Sequence, residues 1–461
     1  MKNAYLLSAL LTLCLLAGCG KEDVKSELEM KDATLFEHAV SYRPGTDSPS
    51  DSERIMDEEG YYIVNDMVYV TSDTLNLRME PSVESELLTT VTYGTALSRS
   101  GEGTKGWDRI LYEGKTAYVS QDYLITVPIQ EERDFEFSQA MLSVVDTSRQ
   151  IYSYDSLCED LTQLKEAYGS HMQLNVLGTT RDNRNIFEVV VGNPDAPLQM
   201  TIVGTICGTE YMTSLVCMKQ LEYYLCFYET GNYRGLRYQD LFQQVSVRVI
   251  PMLNPDGATI SQEFLTKILH KEIQDDLKRW FERDQSNGGT SLNLDNYLMF
   301  YYANGNGVDI RKNFDYRWEE AESVEEESST GYKGDAAGSE PETRALLHLL
   351  ANEPQELVIA YHTTGSQVSW NFGQTGTVLE KSKLYGEALS EFMNYEPYPD
   401  ALGKSAYGSF CGYAANIAET PALQVQLGNG SAPLSLNEFN AIWNACRESW
   451  AAMQLELIVA Q

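Results

Sequence analysis

The sequence predicts two folded parts in series: a small all-β barrel over residues 66–127, then a larger α/β domain over residues 151–461 whose sheet carries helices on both faces. Three observations predict it. From Val68 to about Val127, short β-rich runs alternate with turn-forming Gly, Pro, Asn and Ser. Beyond residue 151, apolar runs of strand length alternate with segments of helical periodicity, the pattern of a sheet covered by helices. At 461 residues, with 43% apolar and 11% aromatic content, the chain can build one sizeable core and a satellite domain.

Ahead of the barrel, Lys2, an apolar run from Tyr5 to Leu16 and the tetrapeptide Leu16-Ala17-Gly18-Cys19 form the three parts of a secretory signal, assigned to residues 1–18. The run is too short for a comfortable membrane span. A cysteine at the cleavage point resembles the lipobox of bacterial lipoproteins, which implies that Cys19 becomes a lipid-bearing first residue. The expected location is therefore extracytoplasmic, anchored to the bacterial membrane by lipid. Residues 19–60 follow as an acidic tether without sustained apolar periodicity. Coil statistics give it a reach of about 35 Å, enough to clear the headgroups. A formal charge of −33 argues against nucleic acid or an anionic membrane surface as partner. Of eight cysteines, six lie beyond Cys19, with no CxxC spacing and no readable disulfide framework.

In the barrel region, Leu75-Asn76-Leu77-Arg78, Glu80-Pro81-Ser82, Tyr93-Gly94-Thr95, Gly106-Trp107-Asp108 and Gly114 to Leu124 follow one another in order. Together they resemble a bacterial SH3 domain. The resemblance implies either a module that binds cell-wall peptides or a spacer. A linker over residues 128–150 leads to Tyr154, Leu157, Leu161, Leu164 and Tyr168, whose spacing predicts a helix over 154–168. Strands are expected at Ile186–Val191, Gln199–Gly204, Val245–Pro251, Leu357–Tyr361 and Leu423–Leu427. Ser339-Glu340-Pro341-Glu342 has the S-x-x-E pattern of a capping box ahead of a helix ending near Leu350.

Between these elements lie Gly204 to Ser214, Pro251 to Gly257, Gly307 to Phe314, Ser339 to Thr343, Ile359 to His362, Trp370 to Gln374 and Ala422 to Gly428. In this order they resemble the carboxypeptidase A-type zinc peptidases, and especially bacterial relatives that cut γ-D-glutamyl-diaminopimelate bonds. The resemblance covers about residues 150–461 and implies a mixed open sheet flanked by helices.

It also implies a site. The family holds zinc with an H-x-x-E pair and a distant His, leaving one position open. Those positions are Cys207, Glu210 and His362 here. A thiolate is a legitimate zinc ligand, although its negative charge reduces the metal's Lewis acidity; a lone cysteine is more commonly a small buried residue. The family's general base falls on Gln426, and a carboxamide has no accessible pKa to act as one, a loss of about 10² to 10⁴ in rate. Carboxylate recognition by an Asn-Arg pair and a further basic residue falls on Arg311, Lys312 and Tyr302. Lysine does not reproduce the bidentate fork of arginine. Tyr407 matches the mobile tyrosine that closes over bound peptide. His348, His270, His171 and His38 supply no replacement ligand, and neither G-x-S-x-G nor a phosphate-cradling glycine loop is present.

These substitutions imply a degenerate family member that binds cell-wall or other peptides. An active zinc carboxypeptidase using Cys207, Glu210 and His362, with Glu419 replacing the missing base, is the alternative. A Cys207–His362 thiol-imidazole pair is a third arrangement. Residues 315–335, including Glu325-Glu326-Glu327, read as a solvated acidic loop.

Overall fold

The computed structural model describes residues 55–129 and 138–460. The signal segment, Cys19 and the tether up to residue 54 lie outside the described residues. The described residues begin inside the stretch read as tether. There Met56 bridges to Tyr62, and Asp57 and Glu59 bind Arg109 at 2.6 and 2.7 Å.

Seven strands form the first part: β1 (Tyr61–Val70), β2 (Thr74–Arg78), β3 (Leu87–Thr92), β4 (Ala96–Gly103), β5 (Trp107–Tyr112), β6 (Lys115–Ser120) and β7 (Leu124–Ile125). They pair in the order β3-β2-β6-β5-β4-β1-β7, antiparallel wherever registered. Alternating inward residues give a core of Val68, Val70, Leu75, Leu77, Val91, Leu97, Ile110, Ala117, Val119 and Leu124. Arg99 bridges Asp66 and the buried Asp108 across the sheet.

The second part is built on an eight-stranded sheet. In chain order its strands are β8 (Met172–Thr179), β9 (Asn185–Val191) and β10 (Leu198–Val203); a small hairpin of β11 (Asn232–Tyr233) and β12 (Leu236–Arg237) intervenes. Then come β13 (Val245–Ile250), β14 (Leu357–Thr363), β15 (Gln367–Ser369), β16 (Glu396–Tyr398) and β17 (Ala422–Leu427). The spatial order is β16-β15-β17-β14-β10-β13-β9-β8. β13, β10, β14 and β17 run parallel, while β9 and β15 run antiparallel to their inner neighbours, so the sheet is mixed and open as expected. β13 is buried throughout and β10 at all but Gln199, and the expected helix is found at Tyr154–Tyr168. Among the described residues no helix is long and apolar enough to cross a membrane.

Two local expectations are corrected. Ser339 and Glu342 do not form a capping box. The helix Pro341–Asn352 has no side-chain cap; Ser339 Oγ instead donates to Glu340 and accepts from Asn313, while Glu342 is drawn inward to accept from Asn304 Nδ2 at 2.9 Å. Residues 315–335 are not simply a solvated loop. Glu325 to Glu327 are exposed, but Lys333 Nζ donates to Trp318 O at 2.9 Å, and Ser329 O accepts from the backbone of Tyr302 and Ala303.

The linker is likewise tied down where it is described. Glu222 accepts from the N–H groups of Val144 and Val145, and Lys219 Nζ donates to Glu222 at 2.7 Å and to the carbonyls of Leu142 and Val145. Both side chains are 2% exposed. Lys219→Met would leave Glu222 without its cation, and is expected to lower unfolding free energy by about 3 kcal/mol. Denaturant unfolding at neutral pH checks this.

Candidate metal centre and its cavity

Carboxyl ends of parallel strands are where open α/β sheets collect ligands, and three of them meet here. Just beyond β10 come Cys207 and Glu210, β14 carries His362 as its penultimate residue, and Gln426 lies beside His362 in the register of β14 with β17.

The loop from Gly204 to Glu210 is held in one conformation by its own side chains. Thr205 sits at φ +47°, an unfavourable backbone for a β-branched residue. Its N–H donates to Thr213 Oγ1 at 2.7 Å, and its hydroxyl lies 2.6 Å from Ser214 Oγ. Below the loop, Asn254 caps the helix Pro255–Glu263 by accepting from Gly257 N, and its Nδ2 donates to Ile206 O and Ala303 O. Gly208 is required by space. A Cβ there would lie 2.5 Å from Tyr301 O and 2.6 Å from the Gly257 backbone.

The ligand atoms of Cys207, Glu210 and His362 all lie within 4.8 Å of one another. Glu210 Oε2 is 2.8 Å from His362 Nδ1, and Glu210 Oε1 accepts from Thr363 N at 3.2 Å. Two ligands on a tetrahedral zinc stand about 3.4 Å apart, so a small spread of this pair accommodates the ion. The thiolate, carboxylate and imidazole donor set fits zinc, with Cys207, Glu210 and His362 as the residues that would hold it. Bound zinc would supply Lewis acidity.

Burial acts on Cys207 and Glu210. It pushes the Cys207 thiol well up, with Arg311 pulling in the opposite direction. Burial also pushes Glu210 upward, but His362 and then Arg311 overcome it and hold the carboxyl below its ordinary range. Arg311 forks onto the buried Asp309 at 2.9 and 2.7 Å, and its guanidinium lies 4.9 Å from the centre of the Tyr302 ring. That pairing, working against burial, holds Asp309 low.

A cavity of about 210 Å³ opens beside the cluster, lined by Glu210, Arg311 and His362 together with Thr363, Ser405, Ser409, Gln424 and Gln426. Gln426 is packed over Gly365, which has φ +144° and where a Cβ would lie 2.5 Å from Gln426 Oε1. The remaining expected binding residues are placed elsewhere. Lys312 Nζ donates to Glu322 O at the rim segment, and Tyr407 lies under Arg317 at 4.2 Å and edge-on to Tyr316, outside the cavity lining. Tyr302 acts as a platform for Arg311. Glu419 is exposed in the turn ahead of β17, at the strand end opposite Gln426, so it cannot replace the base. Asp309, Ser405, Ser409 and Gln424 carry no role in the sequence reading. Gln424 had a signal, being two residues before Gln426 and therefore on the same strand face.

A mixed α/β sheet with a Cys-Glu-His cluster at its carboxyl edge has the build of a zinc hydrolase. The chain matches the zinc carboxypeptidase family over residues 157–445 and the bacterial SH3 domain over residues 73–125. It is 26% identical over 298 residues to γ-D-glutamyl-L-diamino acid endopeptidase 1 of Lysinibacillus sphaericus, covering 64% of this chain and 70% of that one. Among solved structures, thrombin-activatable fibrinolysis inhibitor superposes with a TM-score of 0.53 at 12% identity, covering 75% of this chain and 89% of the other. Carboxypeptidase A from Helicoverpa armigera gives 0.50 at 18% identity, covering 70% and 78%. At these identities the solved structures establish a shared fold. The protein belongs to the zinc carboxypeptidase family and carries a bacterial SH3 domain ahead of that domain.

Behind the site, Glu342 is fully buried, its Oε1 is unpartnered, and burial together with Asp256 pushes its carboxyl up to about 8. Its folded pKa exceeds the ordinary 4.5 of the unfolded chain. The folded state therefore keeps the proton between these values, and stability falls as pH rises through that window. Glu342→Gln is expected to remove the fall, so that the variant gains on wild type by about 2–4 kcal/mol between pH 5 and 9. Denaturant unfolding across that range checks it.

Proposed function

We propose that this chain is a catalytically degenerate zinc carboxypeptidase-family protein that binds cell-wall or other peptides in the cavity beside Glu210. In the same reading it is held at the outer face of the bacterial membrane by lipid on Cys19, with the SH3 domain as spacer or second wall-binding module. The relative from Lysinibacillus sphaericus is named for cleavage of γ-D-glutamyl-L-diamino acid bonds, which makes peptidoglycan stem peptide the ligand class to test.

One observation carries the reading. Among the described residues the cavity lining holds a single carboxylate, Glu210, already engaged with His362, and presents a carboxamide at Gln426. A water attacking a peptide carbonyl would find no group there free to take its proton. What remains suits binding. Gln424, Gln426, Ser405 and Thr363 present amide and hydroxyl groups that match peptide N–H and C=O groups, and Thr363 Oγ1 is buried without a partner in the fold.

The active-enzyme reading is supported by the donor cluster and opposed by the position of Glu419. A thiol-imidazole nucleophile is opposed by the buried, protonated Cys207 and by the engagement of His362 Nδ1 with Glu210.

With zinc supplied, wild type is expected to leave a γ-D-glutamyl-diaminopimelate peptide intact, and Gln426→Glu to raise turnover by about 10² to 10⁴ over any residual rate. Wild-type turnover that is abolished by Glu210→Ala would overturn the reading.

A further inference from the structure

Building on the peptide-binding reading, we propose that the cavity selects peptides whose carboxyl groups are carried as primary carboxamides and discriminates against the free carboxylates. One wall of the cavity is a face of the sheet. Ala360 and His362 on β14 stand opposite Gln424 and Gln426 on β17, and all four line the cavity. The two carboxamides are two residues apart on one strand and so project from the same face. Thr363 and Ser405 add hydroxyls to the lining, and Thr363 Oγ1 is buried with no hydrogen-bond partner.

Each lining group that can carry positive charge already faces a carboxylate. Arg311 spends two of its nitrogens on the buried Asp309 at 2.9 and 2.7 Å, and His362 Nδ1 lies 2.8 Å from Glu210 Oε2. The cations of the neighbouring segments are matched as well. Lys312 Nζ donates to Glu322 O, Lys404 Nζ lies 3.7 Å from Glu322 Oε1, and Arg317 forks onto Glu320. A carboxylate entering the cavity would lose hydration without gaining an unspent cation, and that loss is costly. A carboxamide brings no charge, and it both donates and accepts. It can therefore form with Gln424 or Gln426 the reciprocal pair of hydrogen bonds that a carboxylate, which only accepts, cannot. The Cys207 thiolate and the Glu210 carboxylate would offset the charge of a bound zinc, so the preference holds with the ion or without it.

The test is titration calorimetry of the full chain with two forms of one γ-D-glutamyl-diaminopimelate peptide, its carboxyl groups either free or all converted to carboxamides. High salt screens the acidity of the chain as a whole, which would otherwise repel the free form at long range. Wild type is expected to bind the carboxamide form at least about tenfold more tightly. Gln424→Ala is expected to shrink that ratio by removing a pairing partner, and Asp309→Asn to shift it toward the free form by releasing the charge of Arg311. Circular dichroism identifies the variants that are folded, and the wild-type ratio needs neither of them. Equal or tighter binding of the free form by wild type, or a ratio that folded variants leave unmoved, would overturn the preference while peptide binding stands. Failure of both forms to bind would overturn the peptide-binding reading and the preference with it.

Discussion

A carboxylate buried as deeply as Glu210, 3% exposed, needs compensation wherever it stands in a fold, because an unpaired charge in the interior carries a cost of several kcal/mol. That requirement organises the carboxyl edge of this sheet. His362 compensates from the neighbouring strand, Thr363 N from the next residue of that strand, and Arg311 through its charge. Arg311 in turn needs Asp309, which draws the residues around 330 against the site. The acidic insertion thus partly supports the Arg311–Asp309 pair, although its sequence reads as a solvated loop.

The same requirement explains how the cluster holds together beside a carboxamide at Gln426. Glu210 and His362 satisfy one another directly, and the Cys207 thiol is neutral in its buried setting. Nothing in this balance depends on a base at Gln426, whose carboxamide packs over Gly365 without disturbing the charges. Residues that hold the fold together and residues that would perform hydrolysis are therefore separable in this domain.

Much of this was legible in the sequence. Buried parallel strands announce themselves as continuous apolar runs, and each of the five expected strands is present with ends displaced by a few residues at most. The candidate metal cluster was legible through the family resemblance, because Cys207, Glu210 and His362 stand at the positions of that family's zinc ligands. Contacts between side chains distant in sequence were not. The S-x-x-E pattern at Ser339 is a sound local signal, but the buried Asn304 offers Glu342 a stronger partner than a helix N-terminus does. Lys312 and Tyr407 sit at expected positions in the chain, yet Glu322 O and Arg317 hold them away from the cavity. The depth of the linker's attachment depends on Lys219 and Glu222, some 75 residues downstream, and no periodicity within the linker records it.

Whether this domain captures peptide or cleaves it can be read in one experiment. Zinc-supplied wild-type protein is mixed with a stoichiometric γ-D-glutamyl-diaminopimelate peptide, and peptide resonances are followed by NMR over a day. The account predicts broadened, shifted peptide signals from a bound ligand that is recovered intact; appearance of cleavage products, or peptide signals identical to those of the free ligand, would contradict it.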